Sequence, residues 1–253
     1  MLTSVRSLLA ATVLAGAALA ATPAMAQDEE ETPIVTVTGN VALVSDYRFR
    51  GIGLSGGDPA IQGGITLNTA PGFYVGTWAS SLEDTASYGE MELDVFAGWA
   101  GEVTDGVGID VGATYYLYPT NDVDPADVFE LYAKVKPTVG PLALTLGVAY
   151  APSQDSLNFG AGLPDDNLYL SADASIGIPS TPVTVTGHIG YTDGAMTYTD
   201  NSKAWDYSIG ASLTVLGNVS LGVSYVGVEA DGLAKDVSGF TDDTVVGSLS
   251  VSF

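Results

Sequence analysis

The most constraining feature of this sequence is a series of twelve segments in which apolar residues alternate with glycine, serine, threonine and acidic residues. Each segment is about ten residues long, the length that a tilted β-strand needs to cross a bilayer. A period of two places successive side chains on opposite faces of a strand. The expected strands span approximately residues 35–50, 59–68, 72–81, 89–100, 107–118, 127–138, 141–151, 167–178, 182–192, 204–216, 218–229 and 242–253.

The connections between these segments alternate between short and long. Short connections, such as residues 69–71 and 139–140, follow every second strand. The others, such as residues 152–166 and 230–241, are longer and rich in Asp, Gly, Ser and Asn. Short periplasmic turns and longer outer loops are typical of outer-membrane barrels. We therefore predict an all-β fold, a single 12-stranded antiparallel transmembrane β-barrel of six hairpins over residues 34–253.

The charged residues of the strands lie opposite the apolar stripe. In the segment 89–100, Leu93 and Val95 share one face while Glu92 and Asp94 share the other. Apolar residues outside and charges inside suit a barrel in lipid, whereas an ordinary β-sandwich would pair its apolar faces in a core. The expected pore-lining residues are Asp46, Arg48, Arg50, Glu90, Glu92, Asp94, Asp110, Glu130, Lys134, Lys136, Asp173, His188 and Asp206.

Aromatic residues on the apolar stripe cluster near the strand ends, as expected where rings meet lipid headgroups. Those expected near the outer ends are Phe49, Tyr115, Tyr150, Tyr191, Trp205, Tyr207 and Tyr225. Trp99, Phe73 and Phe253 are expected near the periplasmic ends. A last strand that ends in Phe253 is similar to the signal read by the bacterial barrel-assembly machinery, which we therefore expect as a partner.

The N-terminal residues have the pattern of a secretory signal. Arg6 supplies a positive charge, residues 7–20 form an apolar run, and Ala24-Met25-Ala26 is an A-x-A-type cleavage site. We predict a signal peptide over residues 1–26 that is cleaved after Ala26, followed by an acidic disordered tail over 27–33. The expected location is the outer membrane.

The charge balance is strongly acidic, with 30 Asp and Glu against 7 Lys and Arg, which argues against nucleic-acid binding. Many of the acids fall in the expected outer loops. They could form a vestibule that concentrates cations, or they could bind divalent cations that bridge lipopolysaccharide. Asp122, Asp124 and Asp127 could chelate calcium but lack the spacing of an EF-hand. We predict no specific metal site and no cofactor.

Enzymatic activity is the competing functional class. The sequence has one histidine and no cysteine. His188 lies on the expected inner face, where it could not serve a lipid-facing serine as a base. We therefore expect that the protein is not an enzyme.

Residues 39–64, GNVALVSDYRFRGIGLSGGDPAIQGG, and residues 72–80, GFYVGTWAS, resemble the Gcw_chp family, also called TorF-family porins. The densest match comprises residues 45–51 and 59–64. The resemblance implies an outer-membrane barrel and a channel, and it carries over no catalytic or binding residues. The expected function is passive diffusion of small solutes with a preference for cations. The alternative is a non-conducting structural or adhesin-like barrel, because ion pairs could close a lumen of this size.

Overall fold

The computed structural model describes residues 34–160, 162–197, 199, 201–231 and 239–253. Within these ranges the chain forms one closed barrel of twelve antiparallel strands, which confirms the predicted fold class. The predicted signal peptide and acidic tail, residues 1–33, lie outside the described residues. No helix in the described part of the chain is long and apolar enough to cross a membrane.

Fourteen strands occur in the described residues, and each barrel strand pairs with its neighbours along the chain. The barrel strands are β1 (Val35–Val44), β4 (Ala60–Thr69), β5 (Phe73–Ser81), β6 (Met91–Thr104), β7 (Val107–Leu117), β8 (Val128–Val139), β9 (Leu142–Ala151), β10 (Asn167–Gly177), β11 (Val183–Gly194), β12 (Lys203–Val215), β13 (Val219–Glu229) and β14 (Thr244–Ser252). The short strands β2 (Arg48–Phe49) and β3 (Ile52–Gly53) pair only with each other.

The barrel closes where β1 pairs with β14. Leu43 lies opposite Leu249 on one side and opposite Ile61 of β4 on the other. The backbones of Gly39 and Phe253 exchange two hydrogen bonds, of 2.8 and 2.9 Å. Closure satisfies the backbone groups that an open sheet edge would leave unpaired, which a membrane interior requires.

The two ends of the barrel differ in the length of their connections, as the sequence predicts. At one end, here called the turn end, only residues 140–141 join β8 to β9, and only residues 216–218 join β12 to β13. Gly140 and Gly217 adopt positive φ angles of 59° and 79° in these turns, a conformation that glycine adopts without steric cost. The opposite end, here called the loop end, carries the longer connections.

The outer surface of the barrel is apolar and exposed. Ile61, Val223 and Leu221 have 66%, 53% and 48% of their surface accessible, although each lies within a strand. Their neighbours along the strand point inward. Exposure of a continuous apolar exterior to water costs free energy, whereas lipid tails cover it favourably. The exterior therefore fits a bilayer.

The longest departure from the predicted strands is at residues 45–59, which we call the inner loop. The predicted first strand ran to residue 50, but β1 ends at Val44 and the chain then turns into the barrel. Phe49 was predicted to face lipid, and this was wrong. Tyr47 is 3% exposed, and the Phe49 ring packs edge-on against Tyr116, 5.9 Å between centroids. The physical reason is that the charges beside them find partners inside, as described next.

Candidate functional site: the lumen and its inner loop

Arg48 anchors the inner loop through several hydrogen bonds. Its guanidinium donates to Asp46 Oδ2 at 2.5 Å and to Asp242 Oδ1 at 2.9 Å. It also donates to the backbone carbonyls of Phe240 and Asp242, at 3.2 and 2.9 Å. A planar guanidinium with several donors can bind two carboxylates and two carbonyls at once. Arg48 therefore ties the inner loop to the connection that precedes β14.

Arg50 fastens the loop to the opposite wall. Its Nη2 donates to Glu130 Oε2 on β8 at 2.6 Å, and the guanidinium lies 4.1 Å from the centre of the Tyr169 ring on β10. Glu130 is completely buried. A guanidinium stays protonated in proteins, and the Glu130 carboxylate supplies its counter-charge. Arg50 therefore links the inner loop to β8 and β10 across the lumen.

One side of the lumen, here called the filled wall, is formed by β5 to β8 and carries large inward side chains. Tyr74, Trp78, Phe96 and Tyr116 are all at most 6% exposed. The Tyr47 hydroxyl of the inner loop donates to Glu92 Oε1 at 2.9 Å, and its ring lies 5.5 Å from that of Trp78. Aromatic rings and buried acids thus fill this side of the lumen.

Glycines on neighbouring strands make room for these rings. In the strand register of β5 and β6, Tyr74 lies opposite Gly98 and Phe96 lies opposite Gly76. In the register of β7 and β8, Tyr132 lies opposite Gly112. A β-carbon added at Gly98 would meet the Tyr74 hydroxyl at 2.4 Å, well inside contact distance. The ring of one strand therefore occupies the space that a side chain on the next strand would need.

Charged groups nearer the turn end of the filled wall are also paired. Lys136 Nζ lies 2.7 Å from Asp110 Oδ2, and the Tyr74 hydroxyl donates to Asp110 Oδ1 at 2.6 Å. The Tyr74 hydroxyl is also in contact with that of Tyr132, and Lys134 Nζ lies 5.1 Å from the centre of the Tyr132 ring. These contacts hold the aromatic and charged groups in one network.

His188 on β11 is held between two carboxylates. Its Nδ1 lies 2.6 Å from Asp173 Oδ1 on β10, and its Nε2 lies 2.8 Å from Asp206 Oδ1 on β12. The Tyr169 hydroxyl donates to the same Asp206 oxygen at 3.1 Å. Both ring nitrogens face an acceptor, so neither is available to take a proton from a serine or a water as a catalytic base does.

The remaining side of the lumen, here called the hydroxyl wall, is formed by β10 to β14. Its inward positions alternate with the apolar exterior and carry mostly small side chains. Cross-strand neighbours on this face include Ser175 with Thr186 and Thr184 with Ser212. The inward hydroxyl residues include Ser171, Ser175, Thr184, Thr186, Ser208, Ser212, Thr214, Ser220, Ser224, Ser248, Ser250 and Ser252.

A cavity of about 240 Å³ lies at the loop end, between the inner loop and the outer connections. Phe49, Ile52 and Leu54 of the inner loop form one side. The rest of its lining is also largely apolar and includes Leu82, Tyr88, Tyr118, Val128, Leu157, Phe159, Met196 and Phe240. The cavity is thus built by loops that only the folded chain brings together.

Of the thirteen predicted pore-lining residues, Glu90 is the one that lies outside the barrel. It is exposed and precedes β6, which begins at Met91, and its backbone N–H donates to Thr120 Oγ1 at 2.9 Å. The turn before β6 therefore takes Glu90 out of the strand. Asp46, Arg48 and Arg50 lie inside but in the inner loop rather than in the predicted wall. The other nine lie on inward strand positions: Glu92, Asp94, Asp110, Glu130, Lys134, Lys136, Asp173, His188 and Asp206.

The sequence reasoning missed the inward aromatic residues. Tyr116 lies on the same face of β7 as Asp110 and Thr114, so the period of two places it inside. Tyr74 on β5 and Tyr169 on β10 also alternate with outward apolar neighbours, so the same rule places them inside. The predicted aromatic belts include only rings on the apolar stripe and name no inward ring, although the position of these residues in the strands already carried the signal. Among the described residues, no group of three or more His, Asp or Glu could hold a metal ion.

Three solved structures show which class of fold this barrel has. The KdgM porin in complex with disordered oligogalacturonate matches with a TM-score of 0.55 and 10% identity, over 86% of this chain and 98% of that chain. The NanC porin matches with 0.57 and 11%, over 86% and 99%. The COG4313 outer membrane channel from Pseudomonas putida F1 matches with 0.51 and 13%, over 89% and 97%. At these identities the likeness concerns the fold.

The molecule therefore has the fold of the outer-membrane porins, a closed barrel with a polar interior and an apolar exterior. More narrowly, the chain belongs to the Gcw_chp family. The model of that family, described as a bacterial protein of unknown function, matches residues 28–253. No curated protein matches the chain.

Proposed function

We propose that this protein is an outer-membrane channel through which small solutes diffuse passively. The hydroxyl wall is the observation that carries the proposal. Most of its inward positions on five successive strands hold serine, threonine or glycine, so water can be hydrogen-bonded along this side of the lumen. Twelve strands enclose a lumen between the filled eight-stranded barrels and the wide porins of sixteen or more strands. A narrow aqueous path along the hydroxyl wall fits that size.

The exposure of the charged groups supports a path on this side. Asp173 has 47% of its side chain accessible and His188 has 24%, whereas Arg48, Arg50 and Lys136 have 4%, 3% and 11%. A solute that follows the hydroxyl wall would therefore pass Asp173, while most of the bases are engaged with acids. We propose on this ground that the channel prefers cations and small neutral solutes over anions.

Single-channel recording in planar bilayers tests the channel directly. The purified protein should give discrete, ohmic conductance steps, smaller than those of sixteen-stranded porins because the lumen is narrower. Reversal potentials under a potassium chloride gradient should indicate cation preference that weakens as salt rises, because the screening length falls to about 3 Å at 1 M. Anion preference would show that the basic residues of the lumen, Arg48, Arg50, Lys134 and Lys136, control the path.

A non-conducting structural barrel is the second candidate, and the inner loop favours it. The loop crosses the lumen near its loop end, bound at Asp242 by Arg48 and at Glu130 by Arg50. If the contacts of this loop leave no continuous aqueous path, folded protein would insert into bilayers without conductance steps. Solute flux into proteoliposomes would then be as slow as in empty vesicles.

We also propose that the chain reaches the outer membrane through the barrel-assembly machinery, with Phe253 as part of the signal. Phe253 is exposed and lies at the seam, hydrogen-bonded to Gly39. Deletion of Phe253 should lower the heat-modifiable, folded fraction in outer-membrane preparations, while Phe253→Tyr should preserve it. Unchanged abundance after deletion would contradict the proposal. N-terminal sequencing of the isolated protein should give Gln27 if the signal peptide is cleaved after Ala26.

The acidic loops are proposed to contact lipopolysaccharide, in part through divalent cations. Asp122 and Asp124 are exposed at the loop end, where lipid headgroups would lie. Removal of divalent cations by a chelator should then reduce lipopolysaccharide that copurifies with the barrel.

A further inference from the structure

The apolar cavity at the loop end is not explained by a channel for polar solutes. Its lining faces the side of the barrel from which solutes would arrive, where water covers the loops. Protein interiors contain few voids larger than a water molecule, because a void forfeits contacts on every side. The space of about 240 Å³ is partly open to solvent, but its lining is mostly apolar. Displacement of water from such a lining by an apolar molecule is favourable.

The size and chemistry of the cavity restrict what can occupy it. A dry apolar cavity of about 150 Å³ binds benzene, so about 240 Å³ accommodates a molecule somewhat larger than one aromatic ring. Most of the lining side chains are aliphatic or aromatic, and the polar ones, such as Glu83 and Thr85, come from a single connection. Water has few hydrogen-bonding partners in such a space, and a sugar or an ion would lose its hydration without replacement.

We propose that this cavity is a binding site for a small, uncharged, aromatic or alicyclic molecule of one to two rings. Four of the residues that line it belong to the inner loop, namely Phe49, Ile52, Gly53 and Leu54. The sulfur atom of Met196, which also lines the cavity, lies 3.8 Å from Arg50 Nη1. An occupant thus packs directly against the loop that crosses the lumen. The proposal concerns binding and does not depend on conduction.

Methionine methyl NMR provides a reporter inside the cavity and another outside it. Beyond residues 1–26, the sequence contains only Met91 and Met196. Met196 lines the cavity, and Met91 lies on the barrel exterior with 38% of its surface exposed. The experiment titrates indole, an uncharged bicyclic probe, into the detergent-solubilised, methyl-labelled barrel. Glucose serves as the polar comparison.

The expected result is a saturable shift of the Met196 methyl signal by indole, with none at Met91 and none with glucose. Leu82→Gln places an amide in the cavity wall and should weaken indole binding about tenfold, because bound indole would cover an amide that it cannot satisfy with hydrogen bonds. Leu163→Gln makes the same change at an exposed loop position outside the cavity lining and should leave the affinity unchanged.

Parallel, non-saturating shifts of both methyl signals would mean that indole only partitions into the micelle, and this would overturn the proposal. Absence of a Met196 shift, or an equal loss of binding in the two glutamine variants, would also overturn it. Retention of the folded gel mobility by both variants ensures that lost binding reflects the cavity. These outcomes are independent of whether the protein conducts ions in bilayers.

Discussion

The two walls of the lumen differ in the size of their inward side chains. The filled wall, β5 to β8, buries Tyr74, Phe96 and Tyr116 against glycines and acids, and the inner loop packs onto it. The hydroxyl wall, β10 to β14, has serine, threonine or glycine at most of the equivalent inward positions. A twelve-stranded barrel is too wide for wall side chains alone to fill it evenly. Near the loop end the inner loop also packs against the hydroxyl wall, where Ile52 clusters with Ala204 and Val228. Toward the turn end large side chains fill one side, and the proposed path follows the other.

The ion pair between the inner loop and the filled wall should have the largest effect when it is broken. Glu130→Gln removes the carboxylate that pairs with Arg50 and leaves a buried guanidinium without a counter-charge, at a cost of about 3–5 kcal/mol. Urea unfolding of the refolded barrel in detergent, followed by fluorescence and gel mobility, measures this cost. Asp193→Asn is the control: its partner Lys203 lies 3.6 Å away and both are about half exposed, so the expected cost is below about 1 kcal/mol. Equal losses of stability in the two variants would contradict the burial of the Arg50–Glu130 pair.

The same glycine substitution on the two walls should have different consequences. Gly98→Ala places a methyl group against the Tyr74 hydroxyl and the Val111 carbonyl, and should destabilise the barrel by about 1–3 kcal/mol. Gly177→Ala, at an inward position of β10, meets nothing within 4 Å and should be nearly neutral. The same unfolding assay compares them. A neutral Gly98→Ala would show that the filled wall is looser than its geometry indicates.

A bulky side chain on the hydroxyl wall should reduce conductance. Ser224→Trp adds an indole ring to the inward face at the middle of β13, opposite Gly210, where the proposed path runs. We expect a fall of severalfold in single-channel conductance. Val223→Trp adds the same ring to the lipid-facing side of the neighbouring residue and should leave conductance unchanged. If Ser224→Trp conducts like the wild type, the path lies elsewhere.

The smallest effect is expected for ion selectivity. Asp173→Asn removes the most accessible of the ion-paired lumen carboxylates, so the reversal potential should move toward lower cation preference. Glu92→Gln changes a buried group bonded to Tyr47 and should shift the reversal potential less. The reverse order would place the path beside the filled wall, near the inner loop.

Much of the fold could be predicted because strand pattern is local. The pleat places alternate residues on opposite faces, so the parity of Glu92 and Asp94 against Leu93 and Val95 sufficed to put the acids inside. The same rule, applied to every residue type, would also have placed Tyr116 and Tyr169 inside. They were left out because the inward residues were chosen by their charge, and the aromatic belts used only rings on the outward face.

The sequence by itself determined the twelve strands, the short turns and the inward charges, because each depends on residues within a few positions of one another. Only the tertiary structure decided the path of the inner loop. Arg50 and Glu130 are separated by 80 residues along the chain, and Arg48 and Asp242 by 194. Strand periodicity predicts an extended segment after Val44, but three charges in that segment gain buried partners by turning inward. That gain depends on closure of the barrel, which no local pattern contains.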